Sequence, residues 1–209
     1  MKKKKTRKLI ILLILAIAII FGISKFINNT SESSKLTNIY EKLNTAQTYL
    51  FEMERNDENK VILAEKENKT IIDQYSENNH STTIVKGGNT YLVLHNREEY
   101  YVYENNNVDQ TILIDEFKGI IKKDFSTGTE KIQGKKYNYE EFAGSTIFTI
   151  SNTLDSNEEN IKTRFFFDND GNLAFIKTIA GKEQELLKVK LEENVDDAIF
   201  EIPSNYAEN

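Results

Sequence analysis

The sequence predicts an α+β fold in which most of the chain forms a curved antiparallel sheet. Short strand-like runs recur with polar or glycine turns between them, which is typical of a meander. Two segments beyond residue 30 show the three- and four-residue apolar spacing of helices. Because Pro203 is the only proline, no proline-rich linker marks a second domain. We therefore expect one domain over residues 34–206, with roughly eight to eleven strands and two or three helices.

The elements follow one another in a simple order. Leu36, Ile39 and Leu43 share one face of a first helix over Ser34–Tyr49. A second helix is expected over Val108–Lys123, and a short segment, Asp196–Phe200, ends the domain. The strand-like runs are Tyr49–Arg55, Lys60–Glu67, Thr70–Ser76, Ser81–Val85, Thr90–His95, Glu99–Glu104, Thr129–Gln133, Lys136–Phe142, Thr146–Ser151, Ile161–Phe167, Asn172–Ile179 and Glu185–Glu192.

The N-terminus has the pattern of a membrane-targeting segment. Residues 1–8 are basic and residues 9–27 are almost wholly apolar, long enough to cross a bilayer as a helix. Basic residues before such a stretch predict a cytoplasmic N-terminus and an extracytoplasmic remainder. Residues 28–33 form a polar spacer. The alternative is a signal peptide cleaved after Ser24, which would release a secreted domain.

Composition excludes several classes of function. The chain has 27 Lys and Arg against 33 Asp and Glu, and seven of the basic residues fall within residues 1–28. The remainder is therefore strongly acidic and poorly suited to binding nucleic acid. The absence of Cys excludes disulfides, thiol catalysis, Cys-zinc sites and lipoprotein acylation. Since no nucleophile elbow, P-loop or dinucleotide fingerprint is present, we expect no catalytic residues, no metal site and no cofactor.

Two local patterns suggest a metal site, but neither has the spacing between ligands that such a site requires. His80 and His95 belong to different hairpins and lack a ligand at two- or four-residue spacing, so we expect His95 to be a surface or barrel-mouth residue near a strand end. The run Asp168–Gly171 resembles a calcium loop, but the first and twelfth ligand positions would be Phe166 and Lys177. We therefore expect this run to be a hairpin turn.

Several strands carry apolar residues on both faces, which predicts a sheet covered on both sides. One interpretation is an ordinary core of sheet and helices. The other is a half-barrel whose lumen holds an apolar ligand through burial of apolar surface. The candidate lumen residues are Tyr91, Val93, Phe165, Phe167, Leu173 and Phe175.

Tyrosines concentrate on two of the expected strands. Tyrosine offers a large contact area at low entropic cost and is enriched at interfaces. The alternative is aromatic packing between neighbouring strands of one sheet. The candidate partner-binding residues are Tyr100, Tyr101, Tyr103, Tyr137 and Tyr139.

The order of elements resembles the LolA-like lipoprotein-carrier fold over about residues 34–206. The segments that carry the resemblance are Lys86–Tyr91 (KGGNTY), Phe165–Ile176 (FFFDNDGNLAFI) and Phe200–Tyr206 (FEIPSNY). The resemblance implies an unclosed half β-barrel with helices against its concave side. Proteins of this fold carry lipoproteins, bind lipids, sense envelope stress or bind protein partners. A Gram-positive branch, resembling the spore-germination protein GerS, implies a cell-wall amidase as partner during sporulation or germination.

The sequence supports two main hypotheses about function. The first is a non-enzymatic, membrane-tethered extracytoplasmic protein that carries or senses an apolar ligand, such as a lipid or lipoprotein. The alternative is an interaction module that binds or activates a cell-envelope enzyme or a signalling partner. A third hypothesis, an envelope hydrolase, has no motif in its favour.

Overall fold

The computed structural model describes residues 34–46, 48–56, 59–104, 112–143 and 161–209. Within Lys35–Asn209, which forms one unit, the helices are α1 (Lys35–Thr45) and α2 (Ile112–Ile120). Two short 3-10 turns span His95–Arg97 and Asp197–Phe200. The strands are β1 (Thr48–Asn56), β2 (Asn59–Lys66), β3 (Lys69–Ser76), β4 (Asn79–Lys86), β5 (Asn89–Leu94), β6 (Glu99–Glu104), β7 (Phe125–Ile132), β8 (Lys135–Ala143), β9 (Ile161–Phe167), β10 (Leu173–Ala180), β11 (Glu183–Glu192) and β12 (Ala207–Glu208).

These strands form one unclosed, curved sheet in the order β12-β6-β5-β4-β3-β2-β1-β11-β10-β9-β8-β7. Neighbouring strands are antiparallel except β12, which runs parallel to β6. The predicted mostly antiparallel, unclosed sheet with few helices is confirmed. The twelve strands within the described ranges exceed the expected number, because Ala207–Glu208 adds a short edge strand beyond the expected end of the domain.

Some expectations concern residues outside the described ranges. They include the basic segment 1–8, the apolar segment 9–27 and the spacer 28–33. The strand expected over Thr146–Ser151 and the first residues of the second helix also lie outside. Among the described helices, none has the length and hydropathy that a membrane crossing requires.

The β9–β10 hairpin shows how local chemistry sets a turn. The carboxylate of Asp168 accepts hydrogen bonds from the backbone N–H groups of Asp170 (2.9 Å) and Asn172 (2.8 Å). Gly171 adopts a φ of 86°, which glycine reaches without strain. The expected hairpin turn is therefore confirmed at this position. The carboxylate of Asp168 is hydrogen-bonded to backbone N–H groups of the turn.

The two helices cover one face of the sheet. Helix α1 buries Leu36, Ile39 and Leu43, and helix α2 buries Phe117 and Ile120. The ring of Phe117 meets Phe51 of β1 edge to face, with ring centroids 5.9 Å apart. The cluster on this face is filled by side chains of β1, β8, β9, β10 and β11, namely Tyr49, Phe51, Met53, Phe142, Phe165, Phe167, Leu173, Ile176, Leu187 and Val189.

A carboxylate from the sheet fixes the start of α1. Glu140 of β8 is buried, and its two carboxylate oxygens accept hydrogen bonds from the backbone N–H groups of Lys35 (2.6 Å) and Leu36 (3.2 Å). The first N–H groups of a helix lack partners within the helix and carry partial positive charge. Glu140 therefore acts as an N-terminal cap supplied by a distant strand.

The opposite face of β2–β5 lies under the C-terminal segment 195–206, which we call the C-terminal cover. Its side chains Val195 and Phe200 are buried, and Ile199, Ile202 and Tyr206 pack beside them. Lysines of the sheet hold the cover through several contacts. Lys66 donates to the carbonyl of Val195 (3.1 Å), Lys66 and Lys69 reach Asp197 (2.8 and 2.9 Å), and Lys86 donates to the carbonyl of Phe200 (2.8 Å).

Candidate functional site

A cavity of about 280 Å³ lies between the sheet and the C-terminal cover. One part of its wall is apolar, and the other carries titratable and hydroxyl groups. The cover supplies Ile199, Glu201 and Pro203. The sheet supplies the apolar residues Leu50, Ile62, Ile71, Ile84 and Val93 and the residues Asp73, Tyr75, His80, Thr82 and His95.

Strand register brings the polar residues together. Asp73 of β3 is the direct partner of Thr82 on β4, and Tyr75 is the direct partner of His80. Residues two apart on a strand point to the same face, so these two pairs lie side by side. His95 directly follows β5 and comes one position after Leu94, the partner of Ser81 on β4. It therefore lies beside His80, and Tyr75, His80 and His95 form one row across the sheet.

The carboxylate of Asp73 is the centre of a hydrogen-bond network. Asp73 is buried, and its Oδ1 accepts from the hydroxyl of Thr82 and lies 2.9 Å from Nε2 of His80. Thr82 Oγ1 also lies 2.7 Å from His95 Nε2, and His95 Nδ1 lies 3.0 Å from the hydroxyl of Tyr206. The network thus joins β3, β4, the end of β5 and the C-terminal cover.

The donors in this network can be assigned by counting protons. Thr82 has one hydroxyl proton, and it goes to Asp73. Since Thr82 Oγ1 then accepts from His95, the proton of His95 is on Nε2. Nδ1 of His95 is left as an acceptor for the hydroxyl of Tyr206. Nε2 of His80 lies at hydrogen-bond distance from Asp73 Oδ1 and can donate to it.

Three rings stack at this end of the cavity. The centroids of Tyr75 and His80 are 3.9 Å apart, and those of His80 and His95 are 3.7 Å apart with planes inclined by only 11°. Tyr206 of the cover meets His95 edge to face at 5.5 Å. His80 and His95 are the only histidines in the sequence, and the fold places them in contact.

Burial shapes the charge of the site. Desolvation by burial, followed by the neighbouring His80, lowers the pKa of His95 below its usual value. Desolvation, with the nearby carboxylate of Asp73 adding to it, raises the pKa of Tyr75 to about 12. At neutral pH the site therefore presents a neutral His95, a protonated Tyr75 and the carboxylate of Asp73.

His95, predicted at the surface or at the mouth of the barrel, lies partly exposed in the cavity wall beside the C-terminal cover. The hydrogen bonds to Thr82 and Tyr206 and the stack on His80 leave His95 only partly exposed. The physical reason is that the C-terminal cover returns over the end of β5. No pattern near residue 95 indicates that a residue 111 positions away will lie against it.

The candidate lumen residues are not brought together. Phe165, Phe167 and Leu173 fill the core beneath the helices. Tyr91 and Val93 lie on the opposite face under the C-terminal cover, where Val93 lines the cavity. The sixth candidate, Phe175, packs in a separate cluster with Ile132 and Phe166.

A β-bulge accounts for the position of Phe175. Leu173 pairs with Phe167, but Phe175 pairs with Phe166, so the register shifts by one residue between them. Strict alternation would place Leu173 and Phe175 on one face. The bulge instead places Leu173 on the helix face and Phe175 on the other.

The candidate partner-binding tyrosines fall on two separate strands of the sheet. On β6, Tyr103 is 46% exposed, Tyr101 is partly exposed, and Tyr100 packs beside the C-terminal cover with its hydroxyl 3.1 Å from Glu208. On β8, Tyr137 contacts Phe175 and Tyr139 contacts Phe166, both edge to face. The five tyrosines therefore do not form one surface patch.

Tyr139 belongs to a structural cluster on β7–β10. Its ring lies across Gly128, its direct partner on β7, and under the guanidinium of Arg164 at 4.6 Å. Arg164 donates to Glu141 (2.6 Å) and Glu130 (2.7 Å). Burial raises the pKa of both carboxyls, but hydrogen bonds outweigh it and lower both, from Lys177 and then Arg164 for Glu130 and from Arg164 for Glu141. Tyr139 therefore packs against neighbouring strands of the sheet, which is one of the two roles considered for these tyrosines.

Comparisons with known proteins identify no family. No protein-family model matches the chain, and no curated protein matches it. Among solved structures, the chain is similar to an uncharacterized conserved protein from Thermus thermophilus, with 8% identity and a TM-score of 0.44 over 85% of this chain and 99% of that one. At this level of similarity, the likeness carries no argument about function.

Proposed function

We propose that this chain is a non-enzymatic, membrane-tethered extracytoplasmic protein that binds a small apolar ligand, or the apolar end of a lipid, beneath the C-terminal cover. The observation that carries the proposal is the cavity of about 280 Å³, whose walls include five apolar side chains of the sheet and Ile199 of the cover. Apolar walls with a few polar groups at one end are typical of small-molecule sites.

The size of the cavity limits what it can hold. Its volume of about 280 Å³ is close to the lower end of the range for small-molecule pockets, about 300–1,000 Å³. A short apolar group, such as the end of an acyl chain, matches this volume, whereas a whole lipid would extend outside. Burial of apolar surface, at about 25 cal/mol per Å², would supply the affinity without specific chemistry.

The binding position differs from the lumen that the sequence suggested. Among the described side chains beneath the helices, Phe51, Phe117 and Phe165 are completely buried. The cavity instead lies on the opposite face, where Ile199, Glu201 and Pro203 of the cover complete it. Because the cover forms part of the wall, ligand binding and the position of the cover would be linked.

The membrane tether and the LolA-like resemblance support the same proposal. The apolar segment 9–27 would hold the domain at the membrane surface, within reach of lipids and lipoproteins. The unclosed, curved sheet agrees with a half-barrel at a coarse level. The finer proposal, a LolA-like lipid or lipoprotein binder, rests on the segments quoted for the resemblance.

Native mass spectrometry of the full chain, extracted from its membrane in mild detergent, tests the proposal. Organic extraction of the same sample identifies any lipid. We expect a bound apolar molecule at one per chain, reduced when Ile62→Phe fills part of the cavity and unchanged in Ile179→Phe on β10. A ligand-free unmodified chain would contradict the proposal and favour the interaction module.

A further inference from the structure

We propose that Asp73, His80 and His95 form a binding site for one divalent transition-metal ion of the Zn²⁺ class. This inference does not depend on an apolar ligand, because it uses only the polar end of the cavity. The sequence predicted no metal site, since the two histidines lie in different hairpins and lack ligand spacing.

The donor atoms are already close together. One ligand atom from each of Asp73, His80 and His95 lies within 4.8 Å of the other two. Around a tetrahedral Zn²⁺ ion with bonds of about 2.0–2.1 Å, ligand atoms lie about 3.3 Å apart. His80 Nε2 and Asp73 Oδ1, at 2.9 Å, are already within that separation.

Outer contacts hold two of these ligands in place. Thr82 donates to the carboxylate of Asp73, and Tyr206 bonds the far nitrogen of His95. Metal-binding histidines characteristically use their second nitrogen in a hydrogen bond that orients the ring. When an ion takes Nε2 of His95, the proton moves to Nδ1 and is donated to the hydroxyl of Tyr206. His95 therefore accepts the ion through a change of tautomer, without net loss of a proton from its imidazole. The proton with which Nε2 of His80 contacts Asp73 must likewise leave that nitrogen, to Nδ1 or to solvent, before Nε2 binds the ion.

The types of donor atom indicate the class of ion. Two imidazoles and one carboxyl group offer nitrogen and oxygen donors. Imidazole donors suit Zn²⁺, Co²⁺, Ni²⁺ and Cu²⁺, whereas Ca²⁺ and Mg²⁺ prefer oxygen alone. Three protein ligands leave a fourth position for water or for a polar ligand group in the cavity, as in open zinc sites.

Binding must change the stacked pair of rings. His80 and His95 are nearly parallel, with centroids 3.7 Å apart, so both cannot direct Nε2 in their own plane at one ion. The side chain of His80 is 26% exposed, which gives this imidazole room to turn. We therefore expect the ion to break the stack between His80 and His95.

Metal titration tests the proposal. The full chain is purified in detergent without a polyhistidine tag and is treated with a chelator before the titration. With Zn²⁺ in a calorimeter, we expect one ion per chain, and Co²⁺ should give the visible absorption of tetrahedral coordination. The variants Asp73→Asn, His80→Gln and His95→Gln should each weaken Zn²⁺ binding at least about tenfold. The matched control is Asp124→Asn, an exposed aspartate next to β7, and it should bind as the unmodified chain does.

A second measurement needs no variant and decides the case if a variant fails to fold. Because the chain has only two histidines, ¹⁵N labelling of histidine gives two imidazole signal sets. Zn²⁺ should shift the Nε2 resonance of both. The proposal is overturned if Zn²⁺ shifts neither Nε2 resonance or only one of them. It is also overturned if the three folded variants bind Zn²⁺ as tightly as the unmodified chain does. Lipid extraction gives an independent result, so failure here is distinguishable from failure of the proposed binding function.

Discussion

The ammonium group of Lys86 lies 2.8 Å from the backbone carbonyl oxygen of Phe200. The same group reaches the carboxylate of Glu201 at 2.9 Å. The side chain of Phe200 is fully buried against the sheet. Its backbone carbonyl accepts a hydrogen bond from the charged Lys86. This contact joins β4 to the C-terminal cover and so helps to close the cavity. The following predictions test this closure, the sheet packing and the orientation at the membrane.

Removal of the Lys86 ammonium should loosen the cover. Lys86→Met leaves the carbonyl of Phe200 without this donor, and hydrogen bonds to charged groups contribute about 1.5–3 kcal/mol. We expect the free energy of unfolding in urea to fall by about 1–2 kcal/mol. Hydrogen exchange within residues 197–206 should also become faster. The matched control is Lys188→Met, whose exposed pair with Glu54 should change stability by less than about 0.5 kcal/mol.

The contribution of Asp197 to stability should vanish in acid. Hydrogen bonds from Lys66 and then Lys69 lower the pKa of Asp197 from 3.8 to about 2. Because the folded pKa lies below the unfolded one, the contribution is complete above about pH 4 and lost as the pH falls to about 2. We expect unfolding of the unmodified chain and Asp197→Asn to differ at neutral pH and to converge near pH 2. An equal difference at both extremes, or an NMR titration of Asp197 near pH 4, would contradict the account.

A methyl group at Gly128 should disturb the sheet, because its Cβ would run into the ring of Tyr139. That ring is held by Phe166 and Arg164, so Gly128→Ala should cost about 1–3 kcal/mol of unfolding free energy. In a Tyr139→Ala background the same substitution should be nearly neutral, which a double-mutant cycle measures. If Gly128→Ala costs the same in both backgrounds, the ring is not the cause.

Gly119 of α2 provides the matched control for Gly128. Among the described residues, apart from its chain neighbours and the backbone of its own helix, no atom lies within 4 Å of a Cβ added at Gly119. Alanine is favoured over glycine inside a helix by about 0.5–1 kcal/mol, so Gly119→Ala should be neutral or stabilising. The two glycine substitutions should therefore have opposite signs in the same urea experiment.

The orientation at the membrane can be tested because the chain contains no cysteine. Ser204 is exposed on the cover, and Lys3 belongs to the basic N-terminal run. A membrane-impermeant maleimide added to intact cells should label Ser204→Cys and leave Lys3→Cys unlabelled. Labelled Ser204→Cys in the medium would indicate cleavage of the N-terminal segment. Labelling of Lys3→Cys alone would contradict the proposed orientation.

Local patterns were sufficient for most secondary-structure elements. The apolar spacing of Leu36, Ile39 and Leu43 identified α1, and the Asp168–Gly171 run identified the β9–β10 turn. The meander order within β1–β6 and within β7–β11 also followed, because those strands pair with their neighbours in sequence, whereas the β1–β11 pairing that joins the two halves did not. The face occupied by Phe175 did not follow, since a bulge changes alternation without a clear signature in residues 173–175.

The candidate site depends on contacts that local patterns do not encode. The Asp73–Thr82 and Tyr75–His80 pairs can be found once the register of one hairpin is known. His95 then joins through a second hairpin, and Tyr206 through a chain return of 111 residues. Spacing rules for metal ligands assume neighbours on one element, so they missed a cluster assembled across strands.

Photo-crosslinking is the most direct test of the central claim, that the cavity under the C-terminal cover binds an apolar group. A decanoic acid that carries a diazirine near its methyl end would be added to membranes containing the full chain. We expect adducts on peptides from β2–β5 and on residues 199–203, and fewer adducts in Ile62→Phe. Adducts found only on α1, α2 or β9–β10 would contradict the account. So would an amount of adduct no greater than that on a control membrane protein without the cavity.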